Sequence, residues 1–404
     1  MPTIACPAMD ELESVATLDH PVPGERRRRV AFVTNFCSHY RIKPFELLAR
    51  DYDVDYYFFS DGGEWYWRKE HGVKHGAFRH TYLPGVRVGN TRISAQLPAA
   101  LLAGGYDVFV KCINGRFALP VTYTIARMTG KPFVLWTGIW MRLETKFHRL
   151  GFPIVQHVYR NADAVVAYGE HVRRYLESEG VASPRIFLAR QAVDNALYRR
   201  HVGDDERGAL RARLGIEADQ PVVLYVGRLA AVKGLRHLLH GFRAVTDPRA
   251  VLVLAGEGEE GAELRALAES LGLGPRVRFT GHVSADQTTA YYALATVAVL
   301  PSVTTPEGKE LWGLVVNEAF NQGVPVIATD AVGAAAGGLV QDGVNGFVVP
   351  ERDAAALGAA LNTIVGDDTV RRRLGDNALH TIGEWTTETM VSGFRAAIEH
   401  ACAR

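Results

Sequence analysis

Short apolar runs alternate along the chain with longer segments whose apolar residues recur at helical spacing. Continuous apolar runs of this kind are typical of strands that are buried on both faces of a parallel sheet. They predict strands at residues 30–34, 54–59, 107–111, 132–136, 162–167, 185–189, 222–226, 251–255, 277–280, 297–300 and 326–328. The intervening segments predict helices at residues 44–50, 171–176, 235–245, 262–270, 285–294, 314–322 and 385–402. This alternation predicts an α/β fold with helices on both faces of parallel sheets.

Length and composition narrow the class of protein. A chain of 404 residues is long enough for two domains that each bury a core, and its formal net charge of +1 gives no electrostatic argument for nucleic-acid binding. No apolar run reaches the roughly 18 residues of a membrane span, and the N-terminus lacks a signal-peptide layout. Four distant cysteines without metal-ligand spacing predict reduced thiols and a cytoplasmic location: Cys6, Cys37, Cys112 and Cys402.

Residues 26–29 are four consecutive arginines beside the first predicted strand. One interpretation is a solvated basic run at the end of a polar tail. The other is a peripheral membrane contact, in which the arginines bind anionic lipid headgroups. The sequence leaves both interpretations open.

The loops that follow the first-domain strands are expected to face a ligand cleft, since open α/β sheets bind ligands at the carboxyl ends of their strands. The loop after the first strand contains no G-x-G-x-x-G motif, so a dinucleotide cofactor is not predicted. An aromatic segment at residues 65–68 suits either stacking on a sugar ring or core packing. Polar and aromatic side chains in and near these loops are candidates for the acceptor side of such a cleft: His39, Arg41, Asn114, Arg116, Trp140, His148 and His171.

Two carboxylates eight positions apart, Glu310 and Glu318, mark the most informative stretch. Eight steps do not place two side chains on one helix face. Glu310 is therefore expected in a loop after a strand, and Glu318 inside a helix that Gly313 starts and Gly323 ends. A loop and a helix N-terminus offer backbone N–H groups to an anion, while Glu318 can accept hydrogen bonds from a diol.

This stretch resembles the E-x7-E signature of retaining nucleotide-sugar glycosyltransferases of family 4, which have the GT-B fold. The segments that carry the resemblance are ELWGL at 310–314, EA at 318–319 and DGVNGF at 342–347. It implies that Glu310 contacts the donor sugar and that Glu318 contacts the ribose. It also implies that the diphosphate meets the backbone amides of the intervening residues: Leu311, Trp312, Gly313, Leu314 and Val315.

A second element, with Gly227, Arg228 and Lys233, resembles the G-R-L…K-G element of the same family. The resemblance assigns the two cations to the donor diphosphate, with no metal required. A leaving nucleoside diphosphate gains negative charge as the glycosidic bond breaks, and an arginine fork and a lysine can stabilise that charge. The turns at Gly256 and Val283 are expected to bracket the base and ribose.

Over the first domain the resemblance lies in the order of elements rather than in motifs. Where relatives carry a glycine-rich loop, this chain has His39 and Arg41. Where relatives carry a histidine near the donor sugar, it has Gly138, and His148 and His171 are the candidates for that role.

The predicted fold is GT-B, with two Rossmann-like domains whose sheets face a cleft. The C-terminal helix is expected to cross back to the first domain near Trp385. The predicted organisation is a mobile tail at 1–27, an acceptor domain at 28–197 joined by 385–404, a linker and surface helix at 198–220, and a donor domain at 221–384.

The predicted function is retaining transfer of a sugar from a nucleotide-sugar, with UDP-sugar favoured over GDP-sugar, to an acceptor hydroxyl. A saccharide, a glycosylated natural product and a lipid-linked sugar all fit as the acceptor, and the oligomeric state is left open. The nucleotide-sugar is a co-substrate, and no cofactor is predicted.

Four other functions remain as alternatives. They are a GT-B phosphorylase, a nucleotide-sugar epimerase, a glycoside hydrolase that uses Glu310 and Glu318, and a non-catalytic nucleotide-sugar binding protein. The hydrolase leaves Arg228 and Lys233 without a role.

Overall fold

The computed structural model describes residues 26–60, 76–83, 85–89 and 91–403. The predicted tail, apart from Arg26 and Arg27, lies outside the described residues, as do Cys6 and the aromatic segment at 65–68.

The strands of the described residues lie between Arg29 and Val349. They are β1 (Arg29–Thr34), β2 (Asp53–Phe58), β3 (His80–Tyr82), β4 (Val86–Val88), β5 (Thr91–Ile93), β6 (Val108–Cys112), β7 (Phe133–Thr137), β8 (Ala164–Ala167), β9 (Ile186–Leu188), β10 (Val222–Val226), β11 (Val251–Ala255), β12 (Val277–Gly281), β13 (Val297–Leu300), β14 (Val326–Thr329) and β15 (Gly346–Val349).

These strands form two parallel sheets and a small hairpin. The first sheet has the order β3-β2-β1-β6-β7-β8-β9, the second has the order β12-β11-β10-β13-β14-β15, and β4 pairs with β5 in antiparallel fashion. In the second sheet the chain moves outward from β10 in one direction and then from β13 in the other. The loops after β10 and β13 therefore flank a topological switch point, where open α/β sheets bind ligands.

Helices connect most of the strands. They are α1 (Ile42–Asp51), α2 (Gln96–Ala103), α3 (Ala118–Met128), α4 (Lys146–Asn161), α5 (Glu170–Ser178), α6 (Asn195–Tyr198), α7 (Asp204–Leu214), α8 (Leu235–Arg243), α9 (Gly261–Ser270), α10 (Thr288–Leu294), α11 (Val315–Asn321), α12 (Gly333–Ala336), α13 (Ala354–Gly366), α14 (Asp368–Gly383) and α15 (Thr387–Cys402).

The α/β class with parallel sheets, predicted from the alternating pattern, is confirmed. Several ends differ by one or more residues from the predicted ones. Helix α11 begins at Val315 rather than at 314, and α15 begins at Thr387 rather than at 385 because the Thr386 side chain accepts a hydrogen bond from Thr389 N and caps the helix. The short strands β3, β4 and β5 were not predicted, since they lack an apolar run.

The C-terminal helix α15 returns to the first domain, as predicted. It packs against α1, β8 and β9, and its apolar face belongs to the core between these elements. Met390, Phe394 and Ile398 are almost fully buried there, against side chains such as Phe32 and Trp136. The first-domain core is therefore built from both ends of the described chain.

Candidate donor site

Two glycine turns approach each other at the carboxyl ends of β10 and β11. Gly227 has φ of 146° and Gly256 has φ of 152°, which favour glycine. A Cβ on Gly256 would lie 1.8 Å from the carbonyl oxygen of Gly227, so neither turn has room for a side chain. A hydrogen bond also joins the residues that follow the two glycines, because Leu229 N donates to the Glu257 carbonyl at 2.8 Å. The paired turns present backbone, rather than side chains, to the cleft.

The predicted cation Lys233 ends a single 3-10 turn, Ala231–Lys233, which rests on the loop after β13. Gly234 adopts φ of 63°, and a Cβ there would lie 2.1 Å from the Pro301 carbonyl oxygen. Val303 N donates to the Val232 carbonyl at 2.8 Å. Close backbone packing between the two loops thus fixes the base of the lysine.

Lys233 and Glu310 meet in an ion pair between Nζ and Oε2, with their side chains 20% and 17% exposed. Ser302 Oγ donates to the same carboxylate oxygen at 3.2 Å. Partial burial strengthens such a charge-assisted contact relative to one in open solvent. The structure therefore joins two of the predicted donor-site residues.

The phenol of Tyr225 lies beneath both loops. It donates to the Arg228 carbonyl at 2.7 Å. Burial raises the pKa of Tyr225 well above its usual range, the Glu310 carboxylate raises it further, and the Arg228 guanidinium lowers it. Arg228 and Lys233 both follow β10, and the ion pair of Lys233 with Glu310 joins their loop to the one after β13.

Glu318 lies in α11 and is half-buried. Tyr292 donates its hydroxyl hydrogen to Glu318 Oε2 at 2.8 Å, and Tyr198 also bonds the carboxylate. Burial raises the pKa of Glu318, and the two phenol hydrogen bonds lower it in part. The tyrosines orient one side of a carboxylate whose remaining acceptor positions suit a diol.

The residues between the two glutamates turn sharply into α11. Gly313 has φ of 94°, and a Cβ there would lie 2.4 Å from Leu300 Cδ2. Leu311 is 42% exposed, whereas Trp312 is buried and donates its Nε1–H to Asn317 Oδ1 at 2.8 Å. The Trp312 side chain thus supports the turn, and only its backbone can serve the predicted amide role. The other predicted amide donors lie at the start of α11, with Leu314 as its N-cap and Val315 as its first residue.

Val283 lies in the turn after β12, which is bridged to the turn after β11 through Gly281 and Gly256. Val283 is half-buried against the second-domain core. Glu257 Oε1 accepts a hydrogen bond from His282 N at 2.8 Å, which ties this turn to the one after β11. Val283 and Gly256 therefore occupy neighbouring turns, and contact with base or ribose stays a prediction for both.

Trp140 and His171, predicted for the acceptor side, contact the donor loop instead of facing open cleft. Trp140 Nε1 donates to the Glu310 carbonyl at 3.1 Å, and His171 Nε2 lies 3.3 Å from the Leu311 carbonyl oxygen. Burial lowers the pKa of His171 to about 4, the backbone hydrogen bond raises it and Arg174 lowers it. A neutral imidazole with its proton on Nε2 fits this contact.

His39 and Arg41 lie in the 3-10 turn His39–Arg41 after β1. The His39 ring is 5.2 Å from that of Tyr40. Arg41 is buried, with its guanidinium 4.4 Å from the centre of the Trp136 ring and donating to the Tyr168 hydroxyl at 3.2 Å. Arg41 is thus enclosed by aromatic rings, an arrangement that the sequence did not predict.

Gly138 could not hold the histidine expected from the resemblance. A Cβ there would lie 2.5 Å from two carbons of the Tyr168 ring. Tyr168 occupies the space beside β7, so a side chain at this position would displace it.

The turn with Asn114 and Arg116 is held by a lysine that the sequence analysis did not single out. Lys111, fully buried in β6, donates to the carbonyls of Cys112 at 2.5 Å and Asn114 at 2.7 Å, and to Asn114 Oδ1 at 3.2 Å. Burial lowers the pKa of Lys111 to about 7. Arg116 acts on His148, whose pKa burial and this arginine both lower, so these two predicted residues are neighbours.

Within residues 26–60, 76–83, 85–89 and 91–403, no group of three histidine, cysteine, aspartate or glutamate side chains could hold a metal ion. No helix of the described residues has the length and apolarity to cross a membrane.

Residues 206–381 match a protein-family model described as glycosyl transferases group 1. The α-D-kanosaminyltransferase of Streptomyces kanamyceticus is 29% identical over 286 residues, covering 68% of this chain and 72% of that protein. The lipopolysaccharide core biosynthesis glycosyltransferase LpsE of Rhizobium meliloti is 34% identical over 185 residues, covering 46% of this chain and 51% of that protein. The chain thus spans about half the length of LpsE.

Among solved structures, Anabaena Alr3699/HepE in complex with UDP aligns with a TM-score of 0.74 and 22% identity, over 92% of this chain and 99% of that chain. The same protein in complex with UDP-glucose aligns with a TM-score of 0.71 and 21% identity, over 92% of this chain and 99% of that chain. At this identity the likeness concerns the fold, and it confirms the predicted GT-B arrangement.

Proposed function

We propose that this chain is a group 1 glycosyl transferase that transfers a sugar from a UDP-sugar to an acceptor hydroxyl with retention of configuration, since residues 206–381 match that family model. The observation that carries the proposal is the ion pair of Lys233 and Glu310 beside Arg228, at the switch point of the second sheet. This arrangement supplies cations for a diphosphate and a carboxylate for sugar hydroxyls in one place.

The donor binds across the loops after β10 and β13. Arg228 and Lys233 stabilise the negative charge that develops on the leaving diphosphate. Glu310 accepts hydrogen bonds from the donor sugar, and Glu318, oriented by Tyr292, accepts them from the ribose. Backbone amides of residues 311–315 complete the diphosphate contacts.

Retention follows in this proposal from a displacement on one face of the sugar. The bond between the anomeric carbon and the leaving phosphate oxygen breaks, and a bond from that carbon to the acceptor oxygen forms on the same side. The acceptor hydroxyl proton passes to the departing phosphate oxygen. Arg228 and Lys233 hold the phosphate near the reacting carbon, which favours this transfer over attack from the opposite face.

A UDP-sugar is proposed because the Anabaena structure of similar fold holds UDP and, in another crystal, UDP-glucose. A GDP-sugar is the alternative donor. The predicted metal independence is part of the proposal, since the two cations can take the role that a divalent ion plays elsewhere.

The glycoside hydrolase alternative fits the geometry less well. Such enzymes place two carboxylates on either side of one glycosidic bond. Here Glu310 bonds Lys233 and Ser302, whereas Glu318 bonds Tyr292, so the two groups stand in different environments.

The acceptor is proposed to bind between the first-domain loops after β1, β6 and β7. A saccharide, a glycosylated natural product and a lipid-linked sugar remain its candidate classes. The names of the relatives describe kanosaminyl transfer and lipopolysaccharide core biosynthesis, which fall in this range.

The proposed location is the cytoplasm, where nucleotide-sugars would be available. The described cysteines are free: Cys37, Cys112 and Cys402. A membrane contact through residues 26–29 stays a prediction. Ion pairs already engage Arg26 with Asp107 at 3.8 Å and Arg28 with Glu399 at 3.0 Å.

The test is thermal stabilisation by UDP, GDP and ADP, each measured with and without EDTA. A ligand that binds the native state raises the melting temperature, so a selective shift with UDP that survives EDTA is expected. Lys233→Ala should lose the shift, whereas Lys131→Ala, at an exposed first-domain lysine, should keep it. No shift with any diphosphate would contradict the proposed donor site. Consumption of UDP-glucose without an acceptor would favour an epimerase, and sugar release from a simple glycoside without nucleotide would favour a hydrolase.

A further inference from the structure

Two consecutive carbonyl groups of the donor loop accept hydrogen bonds from first-domain side chains. Trp140 Nε1 donates to the Glu310 carbonyl at 3.1 Å, and His171 Nε2 donates to the Leu311 carbonyl at 3.3 Å. Trp140 follows β7 and His171 lies in the first turn of α5, so both belong to the domain opposite the loop. A lysine of the loop itself, Lys309, lies 4.4 Å over the Trp140 ring.

The second domain holds the same segment from its other side. Gly333 N donates to the Glu310 carbonyl at 3.0 Å, and Ala334 N donates to the Trp312 carbonyl at 2.8 Å. The Glu310 side chain leaves this segment toward Lys233 and Ser302. The backbone that carries the sugar-binding carboxylate is thus clamped between the two domains.

The rings form a continuous column through this interface. Ring centres are 5.1 Å apart for Trp140 and His171, 5.9 Å for His171 and Trp312, and 5.3 Å for Trp312 and Trp385. Trp385 lies in the link between α14 and α15, where the chain crosses back to the first domain. The column therefore connects the first-domain loop, the donor loop and the crossover.

The imidazole of His171 fits its place tightly. A Cβ on Gly337 would lie 2.9 Å from His171 Nδ1, and a Cβ on Gly169 would lie 3.1 Å from it. Nδ1 is buried and has no hydrogen-bond partner among the described residues. An unprotonated Nδ1 leaves the proton on Nε2, where it is donated to Leu311.

We propose that Trp140 and His171 are positioning residues that fix the backbone of residues 310 and 311, so that the sugar subsite is complete only when the two domains adopt this arrangement. The proposal rests on the proposed donor role of Glu310. The backbone that carries Arg228 and Lys233 is held by second-domain contacts, through Tyr225 and Val303. Of the amides proposed for the diphosphate, only that of Leu311 lies in the segment that the first domain holds. First-domain contacts should therefore change affinity for the sugar part of the donor much more than affinity for the diphosphate.

The chain offers matched variants for the test. Trp140→Phe and His171→Leu each remove one donor to the loop. His171→Gln keeps an N–H close to the position of Nε2 and serves as the conservative replacement. Trp136→Phe is the control, because the Trp136 Nε1 is buried without a hydrogen-bond partner in the described part of the chain.

Calorimetric affinities for UDP and UDP-glucose are measured for all four variants and the wild type. Trp140→Phe and His171→Leu should lower UDP-glucose affinity about tenfold and UDP affinity less than twofold, as expected for loss of one part-buried hydrogen bond. His171→Gln and Trp136→Phe should keep the wild-type ratio of the two affinities.

An unchanged ratio in Trp140→Phe and His171→Leu, or an equal change in Trp136→Phe, would overturn this inference and leave the proposed function intact. Failure of the wild type to bind UDP would instead overturn the proposed function.

Discussion

Lys233 and Glu310 form an ion pair that joins the loops after two adjacent strands of the second sheet, β10 and β13. In the proposed mechanism the pair serves both parts of the donor at once, since the lysine faces the diphosphate and the carboxylate faces the sugar. Loss of either member should therefore weaken stabilisation of the transition state as well as donor binding.

Lys233→Ala and Glu310→Gln are each expected to lower kcat by about two to three orders of magnitude, the range found when a preorganised charge contact is removed. Initial rates of UDP release measure the effect. Lys131→Ala should retain the wild-type rate, and circular dichroism should show that the variants remain folded. Near-normal turnover in both site variants would disprove the assignment of the pair.

Glu318 gives a prediction with a defined pH dependence. A carboxylate accepts ribose hydrogen bonds better than a protonated carboxyl, and burial raises the pKa of Glu318. UDP affinity should therefore fall as the pH is lowered, beginning above the ordinary glutamate pKa of about 4.3. Glu318→Gln should bind UDP about tenfold more weakly at neutral pH. It should also lack this dependence.

The matched control is Glu269→Gln, at an exposed glutamate of α9. Titration calorimetry between pH 5 and 8 measures the UDP affinity of the wild type, Glu318→Gln and Glu269→Gln. Parallel pH profiles for the wild type and Glu318→Gln would exclude Glu318 from the ribose contact.

Burial of the His171 imidazole should make the folded protein less stable in mild acid. The pKa of His171 falls from 6.5 to about 4 on folding, mainly through burial. Between these values the unfolded chain binds a proton that the folded chain does not, so the free energy of unfolding decreases as the pH falls. The full loss amounts to about 3 kcal/mol.

Urea denaturation at pH 7 and pH 4.5 should show this loss in the wild type and a smaller one in His171→Gln, which cannot titrate. His157→Gln, at an exposed histidine of α4, should behave as the wild type does. Equal acid sensitivity of the wild type and His171→Gln would show that His171 does not contribute.

Asn317 links α11 to the segment between the domains. Its Oδ1 accepts from Trp312 Nε1 at 2.8 Å, and its Nδ2 donates to the Gln191 carbonyl at 3.0 Å. Asn317→Leu leaves both partners buried and unpaired, which should lower the free energy of unfolding by about 3 kcal/mol. Calorimetric melting measures the loss. Asn377→Leu removes one surface hydrogen bond to Val344 and should cost under about 1 kcal/mol. Equal losses would refute the role given to Asn317.

Replacement of Lys111 should weaken acceptor binding without changing donor binding. Lys111→Met removes all three hydrogen bonds that hold the turn of Asn114 and Arg116. Once an acceptor is identified, its KM should rise about tenfold while UDP affinity stays unchanged. Steady-state kinetics measures both, with Lys131→Met as the surface control. A wild-type acceptor KM would remove the turn from the acceptor site.

The sequence predicted the strands around the donor loops because each is a continuous apolar run closed by glycine or proline. The positions of Glu310 and Glu318, one in a loop and one in a helix, followed from their spacing. The residues that bond these glutamates could not be predicted, because Ser302 and Tyr292 are common residue types without a distinctive spacing. They become recognisable only once β13 and α10 are placed beside the glutamates.

The first domain was less predictable for a physical reason. Trp140, in the loop after β7, and His171, in the first turn of α5, were predicted for the acceptor side. Only the contact between the domains shows that they bond the donor loop. Lys111 did offer a signal, since a single charge inside the apolar run VFVKC must find partners when it is buried. That signal predicts a hydrogen-bonded lysine but not which turn it holds.

The return of α15 to the first domain also sets an order of events during synthesis. Phe32 and Trp136 pack against Phe394, so their core remains open until the last helix is made. Strand β9 precedes α15 by roughly 200 residues, which takes tens of seconds at about 5–20 residues per second. Throughout that time the nascent first domain presents apolar surface, while the second domain can already fold. A chain that stops before Thr387 would carry this surface permanently and should be retained by chaperones or aggregate.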